Sequence, residues 1–498
     1  MDSVLRKEYF DKAFKLHNAN KIDEAKNFYR KIVAENPDDS EIYNLIGICE
    51  FQQMNYDKAV QEVRKAISLR QNQYFYETLA QIYSAQNNFE KEIEVWHEAE
   101  KVFGLNYNIA FALGLAYKNI QNFEMSEKYY LIAIEFNKKS RDAYYNLGNL
   151  YTIEQRIEES KTCFEKCLEL NPDDREAEYF LSHSYFRLRD YEHGLKHFDA
   201  RLCRKTALET TRVTYPRLYA NSKLWQGEDI SDKVLYTYYE AGFGDMIMFA
   251  RYIPELAKRC KKLIIKPQME LYQLFKDNFP QVEVMDYFYS EEDFHFDYHI
   301  PFLSVPYAMG LSTEDMFVLR KGYIKADKKK AKQFKDNLFY NKDQFKIAIK
   351  WQGNTFYDTD RVINVDAFAP LFSLPNTQVY SAQTFDGSEE YEKLSEKYNI
   401  VDISKTFKDF SYTAAALQNI DLIICGDTSL AHLAGAMHKK CIVLLPYNYN
   451  WRWHKDLSHC DWYETVKLYR LGENETWDSM MLRVVKDLKI KNKSLTKA

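Results

Sequence analysis

Glycine is scarce in this chain, 15 of 498 residues, so a place that holds two of them close together stands out. Cysteine is as thin. Eight are scattered without a CxxC pair, and the close pair Cys163 and Cys167 falls inside a helical repeat, which argues against a disulfide framework or a zinc site. No run approaches the roughly 20 apolar residues of a membrane span, and the start "MDSVLRKEYFDKAF" lacks the apolar segment of a signal peptide. A reducing, cytoplasmic setting is the expectation. Neither sign of charge dominates: the net charge is −5, which excludes general affinity for nucleic acid or an acidic membrane surface, although the tail "KDLKIKNKSLTKA" is locally basic. Apolar residues are abundant, 46% with 39 Tyr and 32 Phe, and over this length they imply two to four packed domains.

The first 205 residues repeat. Small residues recur as Ala13, Gly47, Ala80, Gly114, Gly148 and Ser182, at intervals of 33 or 34. A second set, Ala25, Ala59, Ser126, Ser160 and Gly194, follows each by twelve, with Glu92 as the exception. Small residues let helices cross closely, while Tyr29, Trp96, Tyr130, Phe164 and Phe198 fill the space beside them. The period, and "NPDD" at Asn36–Asp39 and Asn171–Asp174, resemble the tetratricopeptide repeat. Six copies start near Arg6, Ser40, Gln73, Tyr107, Arg141 and Arg175, and such repeats stack into a superhelix with a concave groove. The register places Asn44, Phe111, Tyr145, Asn149 and Tyr179 in that groove, with Phe51, Asn108 and His183. Asn can bond the backbone of an extended protein segment and aromatic rings add contact area; the same residues would equally serve to cover the next repeat.

After a connector at 206–224 the pattern changes. "KVLYTYY", "KLIIK" and "VEVM" precede Lys325, and "KIAIKW", "TQVYSA", "DLIIC" and "CIVLL" follow it, each alternating with helical stretches. This predicts two Rossmann-like parallel-sheet halves, 225–325 and 340–490, with a cleft between them and a basic tail at 491–498. The fold class is therefore α plus α/β. Ligands bind beyond the carboxyl ends of strands in open parallel sheets. "YYEAGFGD" places Gly242, Gly244 and Asp245 there; a tight turn with an N-capping aspartate explains the same residues. "CGDTSLAHLAGA" ends a buried strand and starts a helix, where Thr428 and Ser429 hydroxyls and His432 can meet phosphate oxygens and Asp427 suits hydroxyls; Asp427 as the helix cap and His432 as a core histidine explain the same residues.

Residues 224–471 resemble glycosyltransferase family nine, the heptosyltransferase family, and above all its bacterial branch that carries tetratricopeptide repeats. The segments are "LWQGEDISDKVLYTYYEAGFGDMIMFARYIP", "FDYHIPFLSVPYAMGL", "DFSYTAAALQNIDLIICGDTSLAHLAGAM" and "LLPYNYNWRWHKD". Flagellin glycosyltransferases and the O-linked N-acetylglucosamine transferase share the general plan. The resemblance implies the two-Rossmann GT-B arrangement and an inverting, metal-independent transfer from a nucleotide sugar to a protein acceptor, such as flagellin or another surface protein, held by the repeats. Carried over, Asp245 is the general base with Glu240 in reserve, Asp427 contacts the donor sugar, and Ser429 with His432 holds its phosphates. Arg361 neutralises phosphate, and Gln383 is counted with the donor set. No cofactor beyond the nucleotide sugar is implied, and a homo-oligomer stays open.

Two departures stand against this. Relatives carry a second arginine where "DTDRVIN" has Ile363, and their Pro-Trp-Tyr-Pro reads "DWYE", so a catalytically silent scaffold is an alternative, as is transfer to a lipopolysaccharide core. "DTD" at Asp358–Asp360 matches the DxD that binds manganese in another transferase fold.

Overall fold

The computed structural model describes residues 3–203, 222–286, 288, 294–311, 313, 315–339, 343–353, 361–384, 386–453 and 459–495. The chain divides into two compact units, residues 1–177 and 178–498. Among the described residues no helix is long and apolar enough to cross a membrane.

The first unit is a run of helix pairs: α1 (Ser3–Asn18) and α2 (Ile22–Glu35), α3 (Ser40–Gln52) and α4 (Tyr56–Leu69), α5 (Gln73–Ala85) and α6 (Phe89–Phe103), α7 (Tyr107–Asn119) and α8 (Phe123–Phe136), α9 (Arg141–Ile153) and α10 (Ile157–Leu170). Polar residues start them. Asp39, Asn72, Asn106 and Ser140 each accept a backbone amide at the head of the first helix of a pair. Each tight turn within a pair needs one residue at positive φ, supplied by Asn20, Met54, Asn87, Gln121 and Gln155. The small positions do what the period implies. A Cβ on Gly47 would lie 2.4 Å from Val63 Cγ2, and one on Gly114 2.6 Å from the Tyr130 ring.

A side-chain ladder joins one repeat to the next. The residue that opens a repeat meets the capping residue of its successor 33 positions on: Asn106 donates to Gln73 Oε1 at 3.1 Å, Tyr107 and Ser140 share a 2.7 Å bond, and Arg141 donates to Asp174 at 2.9 Å. Glu92 is the misfit. Its carboxyl is buried where other repeats have Ala, Ser or Gly, and burial raises its pKa.

Of the expected groove residues, Asn44 is a correction: it is 1% exposed, too deeply buried to meet a partner. Phe111, Tyr145 and Asn149 are half-buried. Tyr145 lies under the Arg141 guanidinium at 4.2 Å, and Phe111 stacks on Tyr107 at 5.9 Å.

The sixth helix pair, α11 (Arg175–Arg187) and α12 (Tyr191–Phe198), falls almost wholly within the second unit. Phe186, Tyr191, Leu195 and Phe198 join its main hydrophobic core, and Tyr179 packs on that core beside His183 at 4.4 Å.

Two parallel sheets follow. The first has the order β1-β5-β2-β3-β4, with β1 (Lys223–Leu224), β2 (Ile230–Tyr238), β3 (Cys260–Lys266), β4 (Glu283–Val284) and β5 (Tyr298–Pro301). The second reads β11-β10-β9-β6-β7-β8, with β6 (Phe345–Lys350), β7 (Thr377–Ser381), β8 (Ile400–Asp402), β9 (Leu422–Gly426), β10 (Cys441–Leu445) and β11 (Val466–Arg470). Its sequence order reverses between β6 and β9, and that of the first sheet between β2 and β5. Alternate residues feed opposite faces. Ile423, Cys425, Val443 and Leu445 enter the core shared with the first sheet, while Leu422, Ile424, Ile442 and Leu444 enter a second core under the helix Trp477–Leu495. The charged stretch between the halves forms the helix Lys328–Asn337, capped by Asp327.

Candidate functional site

Strand order places the site. Where the order of a parallel sheet reverses, the loops leaving two neighbouring strands run apart and leave a crevice. In the first sheet this is the turn after β2, Tyr239–Asp245; in the second it is the turn after β9, Asp427–Ser429, beside the chain leaving β6. Both open on one cleft of about 860 Å³.

The two turns touch. The helix Phe243–Phe249 packs on the helix Ser429–Ala436, and a Cβ on Gly244 would lie 2.9 Å from His432 Cδ2 and 3.4 Å from Ser429 Cα. Gly244 is therefore required by close approach to the second half. Gly242 has an ordinary φ of −71° and room for a side chain; its contribution is its amide, which donates to Asp245 Oδ2 at 3.2 Å.

Asp245 faces the cleft and is held twice, by that amide and by an ion pair with Arg452. Arg452 is a residue that sequence reasoning left without a role. Its guanidinium also donates to Asn450 Oδ1 at 2.8 Å, and its Nε has no partner among the described residues. Asp427 accepts from Arg361 Nη1 at 3.2 Å. The cap position of the helix belongs to Thr428, whose hydroxyl is buried without a partner among the described residues. An orphan hydroxyl in the wall of a cleft costs stability, and a ligand oxygen would satisfy it.

His432 is 3% exposed, stacks on Trp453 at 5.1 Å, and shares a 3.1 Å hydrogen bond between Nδ1 and the Tyr463 hydroxyl. Burial, helped by the positive charge of Arg452, pushes its pKa down to about 3. The imidazole is neutral at physiological pH, so it meets an oxygen by hydrogen bonding and not as a cation. Lys350, at the end of β6, is a second residue missed from sequence. It is 6% exposed, lines the cleft and donates to Thr384 Oγ1 at 3.1 Å; burial pushes its pKa down to about 8. The signal was present as a lysine closing the apolar strand "KIAIK".

Two expected residues stand outside the cleft lining. Glu240 accepts from the Arg201 guanidinium at 2.6 and 3.0 Å and from the Leu303 amide at 3.1 Å, which spends both of its oxygens away from the cleft. Gln383 is 1% exposed and spends its amide on the backbone of Trp351, Gln352 and Asp386, clamping the ends of β6 and β7. Ile363 is a core residue whose amide donates to Trp351 O at 3.1 Å, just beyond β6, and it is not part of the cleft lining. Asp358–Asp360 lie outside the described residues.

Comparison with protein families bears on the first unit. Models of the tetratricopeptide repeat match residues 16–82, 107–140 and 142–174. Protein FlbA of Caulobacter vibrioides is 23% identical over 306 residues, which cover 55% of this chain and 49% of FlbA, so the match spans about half the length of that curated relative. Among solved structures, YrrB, described as a TPR protein with an unusual peptide-binding site, is 18% identical, covers 37% of this chain and 97% of its own, and has a TM-score of 0.31. Yeast Tom70 is 21% identical, with coverage of 43% and 48% and a TM-score of 0.34. The first unit of the chain is built of tetratricopeptide repeats.

Proposed function

We propose that the second unit is a glycosyltransferase of the family-nine type, transferring a sugar from a nucleotide sugar to a protein that the repeats capture. Tetratricopeptide repeats are a protein-binding scaffold. One observation carries the rest: the strand-order reversals of both sheets meet at a single cleft, and that cleft sets the carboxylate of Asp245 opposite Lys350, Arg361 and the unsatisfied Thr428 hydroxyl. An inverting transfer needs those two sides, a base for the acceptor hydroxyl and donors for the departing diphosphate.

In this reading Asp427 and Arg361 bind the sugar and its proximal phosphate, while Lys350, Thr428 and Ser429 take the phosphate oxygens. Asp245 removes the proton of the acceptor hydroxyl as the glycosidic bond forms and the nucleoside diphosphate leaves. Its ion pair with Arg452 must then loosen, and the arriving diphosphate provides Arg452 with another anion. The same ion pair is the observation that favours a silent scaffold, because it occupies the carboxylate that would take the acceptor's proton.

Asp245→Asn separates the two. As a transferase, this variant keeps nucleotide-sugar affinity within about twofold and loses turnover by ~10²–10⁴-fold, the usual share of a general base. Transfer at the native rate, measured with labelled nucleotide sugar, removes Asp245 from the mechanism.

A further inference from the structure

The last repeat ends in a short 3₁₀ turn, Asp199–Cys203, that carries Arg201 into the interior of the second unit, where the residue is 8% exposed. Its guanidinium makes five hydrogen bonds. Nη2 donates to Glu240 Oε1 at 2.6 Å and to Ser304 Oγ at 2.8 Å, Nε donates to Glu240 Oε2 at 3.0 Å, and Nη1 donates to Asp199 Oδ1 at 2.6 Å and to Phe198 O at 3.1 Å. Ser304 Oγ donates in turn to Asp199 Oδ1 at 2.7 Å. The planar fork matches the carboxylate of Glu240, and a lysine could not reproduce it.

The location gives this network its meaning. Glu240 sits between the end of β2 and Gly242, and Leu303 and Ser304 follow β5 directly, so the arginine ties together the two strand ends that flank the reversal in the first sheet. The turn it secures is the one that delivers Asp245 to Arg452 and Gly244 to His432. We propose that Arg201 is a positioning residue of the last repeat, which holds the Tyr239–Asp245 turn in its working place through Glu240. Its bearing on transfer rests on the glycosyltransferase reading; its hold on the turn does not.

The test compares full-length wild type, Arg201→Gln, Arg201→Lys and Glu240→Gln by residue-resolved amide hydrogen exchange. In Arg201→Gln the amides of Ala241–Asp245 exchange at least tenfold faster, those of Leu235–Tyr238 within β2 keep their rates, and Arg201→Lys lies between. Glu240→Gln loosens the turn in the same way, and adding Arg201→Gln to it changes little further. With an active donor, Arg201→Gln lowers kcat at least tenfold at near-constant KM for the nucleotide sugar. Unchanged exchange of the turn in a folded variant overturns the proposal, and so does uniform acceleration through β2 and β3, which marks a merely structural residue. If Arg201→Gln does not fold, Arg201→Lys decides by the same criteria. Selective loosening with no transfer by wild type would keep the positioning role and sink the transferase reading.

Discussion

Replacing Lys350 by Met raises stability at neutral pH and weakens binding of a nucleoside diphosphate, two effects of opposite sign from one side chain. The amine is buried at the end of β6, and its pKa stands at about 8 against an ordinary value near 10.4, so folding at pH 7 encloses a cation at a cost of about 3 kcal/mol. The sign follows from proton counting. Between about pH 8 and ~10.4 the unfolded chain binds the proton and the folded one does not, so wild-type stability rises with pH through that window, and the variant lacks this rise. Such a cost persists in a protein when the charge serves a ligand. A charge-assisted bond to a phosphate oxygen is worth about 1.5–3 kcal/mol, so affinity falls roughly 10- to 100-fold in Lys350→Met. In wild type it falls as pH rises above about 8, as the amine loses its proton. Thermal unfolding across pH and calorimetric titration check both halves; a variant that is less stable and binds as well as wild type contradicts the assignment.

Cutting the chain on either side of the sixth helix pair gives the second large effect. Sequence periodicity assigns residues 175–205 to the solenoid, and a chain beginning near Arg217, outside the described residues, would then keep the donor site. The fold argues otherwise. Phe186, Tyr191, Leu195 and Phe198 are 0–4% exposed within the core of the second unit. Phe186 stacks on Trp451 at 4.3 Å, Arg187 donates to Asn448 Oδ1 at 3.0 Å, and Arg189 pairs with Asp461 at 2.7 Å. Burial of four such side chains contributes on the order of 10 kcal/mol, comparable to the whole stability of a domain. Removing Arg201 also strands the half-buried Glu240 carboxylate, a further loss of a few kcal/mol at most. Residues 175–498 should fold and unfold cooperatively, while 217–498 should show no cooperative transition by circular dichroism. A stable, native-like 217–498 would contradict the shared core.

These effects mark where the sequence was legible. The repeats were, because a period of 33 or 34 in small residues is a one-dimensional record of helix crossings, and Gly47 and Gly114 lie against neighbouring side chains as that record implies. Strands β2, β3, β6, β7, β9 and β10 were legible as apolar runs. β5, β8 and β11 were not: the first is four residues ending in proline, the second three residues, and the third is interrupted by Lys467. At the site, residues adjacent in sequence to a turn were found, Asp245 and Asp427–His432. Residues delivered from afar were not: Arg452 reaches Asp245 across 207 positions and Arg201 reaches Glu240 across 39, and pairings of that kind follow from tertiary packing alone. Asn44 was misplaced because a helical register gives a direction and not the depth of the neighbouring layer.

The central claim is that the cleft between the two sheets binds a nucleotide sugar, and Thr428→Val tests it most directly. The hydroxyl is buried and without a partner among the described residues, so an isosteric methyl should leave the unfolding temperature unchanged or raise it. Calorimetric titration of a panel of nucleotide sugars into wild type and Thr428→Val is the measurement. The prediction is that at least one binds wild type and binds the variant about tenfold more weakly, the worth of one hydrogen bond to a charged oxygen. Wild type that binds none of them at millimolar concentration, or a variant that binds with undiminished affinity, would contradict the account.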